Sequence, residues 1–227
     1  MIVVYALNIE HLDPDNRDWS GRVDARRAAA VPRFRKRQDR ARCIGAGLLL
    51  TYAARRNHPD LAVPPRVEPG AYGKPWLPEL PDFHFNISHS GKWVVCGVGC
   101  RPLGVDIERT GRNSLEVVKR CFSVSEQNHL QSIPQDKRDL TFIELWVLKE
   151  SYMKATGLGL RLNLKDLDVL LGPPAVMHYQ GRKVPYGLAL CEFEDSGYRL
   201  GLAVEGAGLF PRHRIEQVEL NTLLDSF

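Results

Sequence analysis

Two carboxylates stand at alternate positions in the stretch Leu103-Gly104-Val105-Asp106-Ile107-Glu108. Read as a short strand entered through a Pro-Leu-Gly turn, this stretch puts Asp106 and Glu108 on one face and Val105 and Ile107 on the other. The two acids are then about 7 Å apart at Cα, close enough for both to lean onto one ion. Unpaired carboxylates on one face repel each other and are costly to desolvate, so the pair calls for a cation. An all-oxygen site suits a hard ion such as Mg²⁺, which keeps some waters and usually also binds substrate phosphates. Taken alone, the six residues fit an exposed strand edge with water-facing acids equally well.

A second constellation is Trp146, Glu150 and Lys154, spaced four apart along one side of a helix read over Leu140 to Ala155. Phe142, Leu145, Trp146 and Met153 recur at helical spacing and define its buried face. A Glu-to-Lys pair at this spacing is commonly a surface salt bridge worth about 0.2–0.5 kcal/mol. Here it shares a stripe with a tryptophan, and Lys149 adjoins the carboxylate, which argues for a partly buried, charge-dense site. Ser88 and His89 close the first strand of a hairpin that turns at Ser90-Gly91-Lys92, where short polar side chains reach a ligand or simply form the turn. Tyr72-Gly73-Lys74-Pro75 lies in a loop from Pro59 to Pro81 rich in Pro and Gly, and long ordered loops often carry function. Ser123 precedes Glu126 by three residues, the capping-box spacing, so a structural role for Glu126 is at least as good as a catalytic one.

The elements that must position these residues alternate. Met1 to Leu7 is a strand-length apolar run, followed by a polar turn region from His11 to Asp18. A basic segment with Arg22, Arg26, Arg27, Arg33, Arg35, Lys36, Arg37, Arg40 and Arg42 is broken at Pro32. It reads as a solvated face or as donors for a phosphate. The run Cys43 to Leu50 contains Gly45, Ala46 and Gly47, which permit close helix packing. Asn113 to Phe122 reads as a helix with Ser114 as its cap, and Leu188 to Glu194 with Tyr198 to Val204 as a second hairpin. The order predicts an α+β fold of two similar halves, residues 1–101 and 102–227, meeting near Pro102.

Composition sets the outer bounds. The 227 residues are 44% hydrophobic and 26% charged with a net charge of +4, which suits a soluble globular protein with an anionic ligand and gives no argument for nucleic acid. Five cysteines without a C-x-x-C pair favour a reducing, cytoplasmic setting over disulfides or zinc. No run has the length of a membrane span, and the N-terminus has no signal-peptide pattern.

In order, Y-G-K-P (72–75), F-N-I-S-H-S-G (85–91), L-G-V-D-I-E (103–108), F-S-x-x-E (122–126) and W-x-L-K-E-x-x-x-K (146–154) resemble the surfactin-synthetase-activating class of 4′-phosphopantetheinyl transferases. The resemblance implies a monomer of two pseudo-symmetric α/β halves with coenzyme A in the cleft between them and Mg²⁺ on its diphosphate. It implies Asp106, Glu108 and Glu150 as metal ligands, with Asp106, Glu150 and Lys154 carrying the catalysis. Lys149 and Lys154 are expected near the diphosphate and pantetheine, Ser88 and His89 on phosphates, and Lys74 with Pro75 beside the adenine nucleotide. Arg27 and Arg42 are the candidates for the 3′-phosphate, although Ala28-Ala29-Ala30 stands where the family usually supplies basic residues. Glu150 is a candidate to take the proton of the acceptor serine, directly or through a metal-bound water. The acceptor is expected to be an apo peptidyl or acyl carrier domain of a nonribosomal peptide or polyketide synthase, docking along Thr110 to Ser123 and after Gly157. Leu115, Val118, Leu158, Leu160 and Leu162 are also read as core. A Mg²⁺-dependent phosphodiesterase or nuclease would use the same three acids, and a docking module without turnover is the non-enzymatic alternative.

Overall fold

A computed structural model describes residues 1–16, 19, 21–111, 114–206 and 211–226, with Leu160 described by its backbone alone. Asp18 and Asn113, expected at the ends of a turn region and a helix, lie outside the described residues, as does the side chain of Leu160. The chain divides into two compact units: residues 1–100 with 213–227, and residues 101–212. The first unit opens with β1 (Ile2–Asn8), α1 (Ala25–Ala30) and α2 (Arg37–Asn57), then the short β2 (Glu68–Pro69) and β3 (Pro75–Trp76), β4 (His84–Ser90) and β5 (Trp93–Gly99). The second contains β6 (Leu103–Arg109), α3 (Leu115–Cys121), α4 (Val124–Ser132), α5 (Gln135–Thr156), β7 (Leu167–Leu170), β8 (Val176–Tyr179), β9 (Arg182–Lys183), β10 (Tyr186–Cys191) and β11 (Tyr198–Glu205). The chain then returns to the first unit as β12 (His213–Val218) and α6 (Leu220–Leu224).

In the first unit the sheet order is β12-β1-β5-β4, with β12 parallel to β1 and the other pairs antiparallel. Leu7, Leu48, Leu49, Val94 and Cys96 bury completely between this sheet and α2. The small residues of α2 act as the sequence suggests: a methyl on Gly45 would lie 2.7 Å from Ile9 Cγ2, and one on Gly47 2.7 Å from Val23 Cγ1. The C-terminal stretch departs from the expected division into halves. Residues from His213 onward, assigned with 102–227, instead add an edge strand to the first unit, where Val218 and Leu223 bury.

The second unit has the sheet order β10-β11-β6, antiparallel throughout, and a small antiparallel sheet β7-β8-β9. α5 packs across β6 and β11. A methyl on Gly104 would fall 2.0 Å from Ser151 O, and one on Gly201 would fall 2.6 Å from Val147 O. Gly104 is therefore no turn residue. It lies inside β6, and its missing side chain seats one turn of α5 directly on the strand. Each unit repeats one motif of strand, long helix and antiparallel hairpin, and in each the strand pairs with the hairpin's second strand, β1 with β5 and β6 with β11. The architecture is α+β. Among the described residues no helix is long and apolar enough to cross a membrane.

Candidate active site

Within β6, Gly104, Asp106 and Glu108 share a face by strand alternation, and Gly104 fixes that face as the one under α5. Val105 and Ile107 bury fully on the other face. The glycine seats set how near α5 approaches, and so which of its side chains meet the acids. Lys154 Nζ lies 2.5 Å from Asp106 Oδ1 and also donates to Val105 O at 3.4 Å. Glu150 stands among the same acids. Burial pushes its carboxyl up to about 7, the charge of Asp106 adds to the push, Lys154 opposes it, and Glu108 raises it further. Only carboxylates close to one another act in this way.

Asp106, Glu108 and Glu150 thus draw together from a strand and a helix, with Lys154 paired to Asp106. Among the described residues no three Asp, Glu, His or Cys side chains stand at metal-ligand spacing, and Asp106 is turned onto Lys154. The donor chemistry nevertheless fits a hard divalent cation: oxygen ligands only, crowded enough that the Glu150 carboxyl is pushed up to about 7.

Two neighbours were not legible in the sequence. Arg199 on β11 is the cross-strand partner of Glu108, and its Nε lies 3.5 Å from Glu144 Oε1 on α5. Burial pushes the Glu144 carboxyl up, and Arg199 opposes that shift. Strand register brings Arg199 to the site, and nothing in the local sequence around Arg199 signals that register.

Lys149 is the correction. Expected near a diphosphate, its ammonium is fully buried, 2.6 Å from Glu126 Oε2, and it donates to Leu164 O and Leu167 O at 2.8 Å and to Cys121 O at 3.1 Å. Residues advance by about 100° around a helix, so a residue adjacent to Glu150 in sequence points well away from it. Burial lowers the Lys149 pKa and raises that of Glu126, while their mutual attraction opposes both shifts. Glu126 also closes the expected capping box, with Ser123 Oγ accepting from the Glu126 amide and Glu126 Oε2 from the Ser123 amide.

In the first unit the predicted residues take several roles. Arg27 Nε pairs with Asp24 at 3.2 Å, and Arg42 binds Gly91 O through Nε and Nη2 at 3.1 and 2.9 Å and Asp39 at 2.9 Å. Arg42 therefore fastens the β4–β5 turn. Ser88 is buried and His89 exposed, on opposite faces of β4. Lys74 and Pro75 follow Tyr72 and Gly73, whose φ values of 58° and 87° lie in the left-handed region and turn the loop sharply.

Residues 102–203 match the family model described as the 4′-phosphopantetheinyl transferase superfamily, a span running from the start of β6 into β11 and containing all four converging residues. The chain is 36% identical over 177 residues to 4′-phosphopantetheinyl transferase Sfp of Bacillus subtilis strain 168, covering 75% of this chain and 76% of that one. It is 41% identical over 152 residues to another Bacillus subtilis 4′-phosphopantetheinyl transferase, covering 66% of each. With the psf-1 transferase of Bacillus pumilus it shares 32% identity over 176 residues, 74% of each chain. The chain belongs to the 4′-phosphopantetheinyl transferase family, among its Sfp-like members. It is an enzyme that transfers phosphopantetheine to carrier proteins.

Proposed function

We propose that the enzyme moves 4′-phosphopantetheine from coenzyme A to a serine of an apo peptidyl or acyl carrier domain, with Mg²⁺, in the service of nonribosomal peptide or polyketide synthesis. The observation that carries this reading is the convergence of Asp106, Glu108 and Glu150 beside Lys154, inside the span that matches the family. The serine oxygen bonds to the phosphorus carrying the pantetheine, the bond from that phosphorus to 3′,5′-ADP breaks, and the hydroxyl proton leaves for a base. Asp106, Glu108 and Glu150 are the residues that would hold Mg²⁺, which when bound supplies positive charge to offset that of the diphosphate. Lys154 adds a fixed positive charge beside the same acids. Glu150 is the candidate of this cluster to take that proton, directly or through a water. Lys74, Pro75, Ser88 and His89, with Arg27 and Arg42, are carried as the proposed nucleotide contacts. Arg27 and Arg42 would have to exchange their present partners to serve.

The test is the intact mass of an apo carrier domain incubated with the protein, coenzyme A and Mg²⁺. A gain of one phosphopantetheine is expected, and the gain should vanish with a chelator. An unchanged mass across a panel of peptidyl and acyl carriers, with the enzyme folded, would refute the reading.

A further inference from the structure

The glycine seats under α5 leave one degree of freedom unexplained. Val147 sits over Gly201, and Ser151 with Ala155 over Gly104, contacts that follow one another by a helical turn and span about 80° of one side of the helix. These contacts set how near the helix approaches the sheet, but they grip one side of it alone and leave its roll to be opposed from the other. A roll would swing Glu150, about 60° round from Val147, and Lys154, about 20° round, relative to β6. On the far side Phe142 and Leu145 bury in the core of the unit, with one charged residue among them.

Lys149 lies about 160° round from Ser151 and about 200° from Val147, so it points directly away from the seats. Its ammonium is bound by Glu126 Oε2 and by the carbonyls of Cys121, Leu164 and Leu167, with the Phe122 ring 5.4 Å away. Glu126 in turn accepts from the amides of Ser123 and Val169 at 2.8 and 2.9 Å, and Ser123 Oγ donates to Asp168 at 2.7 Å. The pair joins the end of α3, the start of α4, the 164–167 turn and β7 to a single point on α5. For holding a core together, an ion pair is a poor choice, since apolar residues of the same volume are often as stable or more so. A fully satisfied pair fixes direction, which an apolar contact does not.

We propose that Lys149 and Glu126 are positioning residues for the transfer reaction: their buried pair keeps α5 from rolling on Gly104 and Gly201 and so holds Glu150 and Lys154 in register with Asp106. The proposal rests on the transfer reading given above, and the experiment separates the two claims. The variant of choice is Lys149→Met/Glu126→Met, which removes both charges and keeps the volume. Three quantities are read on the full chain: the thermal midpoint, kcat with coenzyme A and an apo carrier well below that midpoint, and Mg²⁺ affinity by calorimetry. A positioning pair predicts a folded variant whose kcat falls about a hundredfold, the scale of a misplacement near 1 Å. It also predicts Mg²⁺ affinity weaker by about tenfold, as seen when groups supporting metal ligands are lost. A folded variant with wild-type kcat and Mg²⁺ affinity overturns the proposal, because a pair serving only stability moves the midpoint alone. If the double variant does not fold, Glu126→Gln decides on the same readouts. If the wild type transfers nothing, the transfer reading fails, and the calorimetry still decides the role of the pair.

Discussion

Glu150 carries the contradiction on which the site is built. Its carboxyl is pushed up to about 7 by burial and by Asp106 and Glu108. A group whose folded pKa is raised binds its proton more tightly in the folded chain than in the unfolded one. Stability therefore falls as pH rises from the ordinary carboxylate value through about 7, and the cost is fully present above it. In chelator-treated protein, Glu150→Gln should be more stable than wild type at pH 8, by about 1–3 kcal/mol, with the difference gone near pH 4. Urea unfolding at the two pH values checks this, and a Gln variant no more stable at pH 8 would mean that Glu150 is not crowded by acids. Part of this was legible: Asp106 and Glu108 two apart, and Glu150 and Lys154 four apart, encode shared faces directly. Arg199 and Glu144 were not, because register between β6 and β11 is a tertiary property. Lys149 misled through adjacency. At about 200° from Val147 it falls amid Phe142, Leu145 and Met153, the face read as buried, and a lysine there needs a buried partner.

At the scale of elements, α5 is held from both sides, and its glycine seats are as much part of the site as its carboxylate. Gly104→Ala would place a methyl 2.0 Å from Ser151 O, against backbone that has no rotamer with which to yield. α5 must lift from β6, carrying Glu150 and Lys154 with it. The expected result is a folded protein destabilised by about 1–3 kcal/mol with turnover down about a hundredfold, measured by thermal unfolding and carrier-mass kinetics. Wild-type turnover in that variant would show that seating does not set the site. The sequence marked Gly104 as a turn because Pro102 precedes it, and strand glycines of this kind declare themselves only when the helix above is known. The helix itself was under-read: α5 begins at Gln135, ahead of the periodic apolar stretch that opens at Leu140, since its first turn is polar and exposed.

For the molecule as a whole, the alternation of apolar runs and turns disclosed a doubled α+β motif. It did not disclose that the chain's end returns to its beginning. His213-Arg214-Ile215-Glu216-Gln217-Val218 is too polar to read as a strand, and its pairing partner, β1, lies at the opposite end of the sequence. A chain ending at Arg212 would bare the edge of β1 and lose the burial of Val218 and Leu223. Its first unit should lose about 3–5 kcal/mol, read as reduced amide-exchange protection in β1 and β5. Undiminished protection there would mean that β12 is ornamental.

The central claim, that three acids from β6 and α5 share one divalent ion, is tested most directly by calorimetric titration of Mg²⁺ into the protein in the presence of coenzyme A. Wild type should take up one ion per chain, and Asp106→Asn, Glu108→Gln and Glu150→Gln should each weaken binding by about tenfold or more. Binding as tight as wild type in an Asp106→Asn/Glu150→Gln double variant would contradict it.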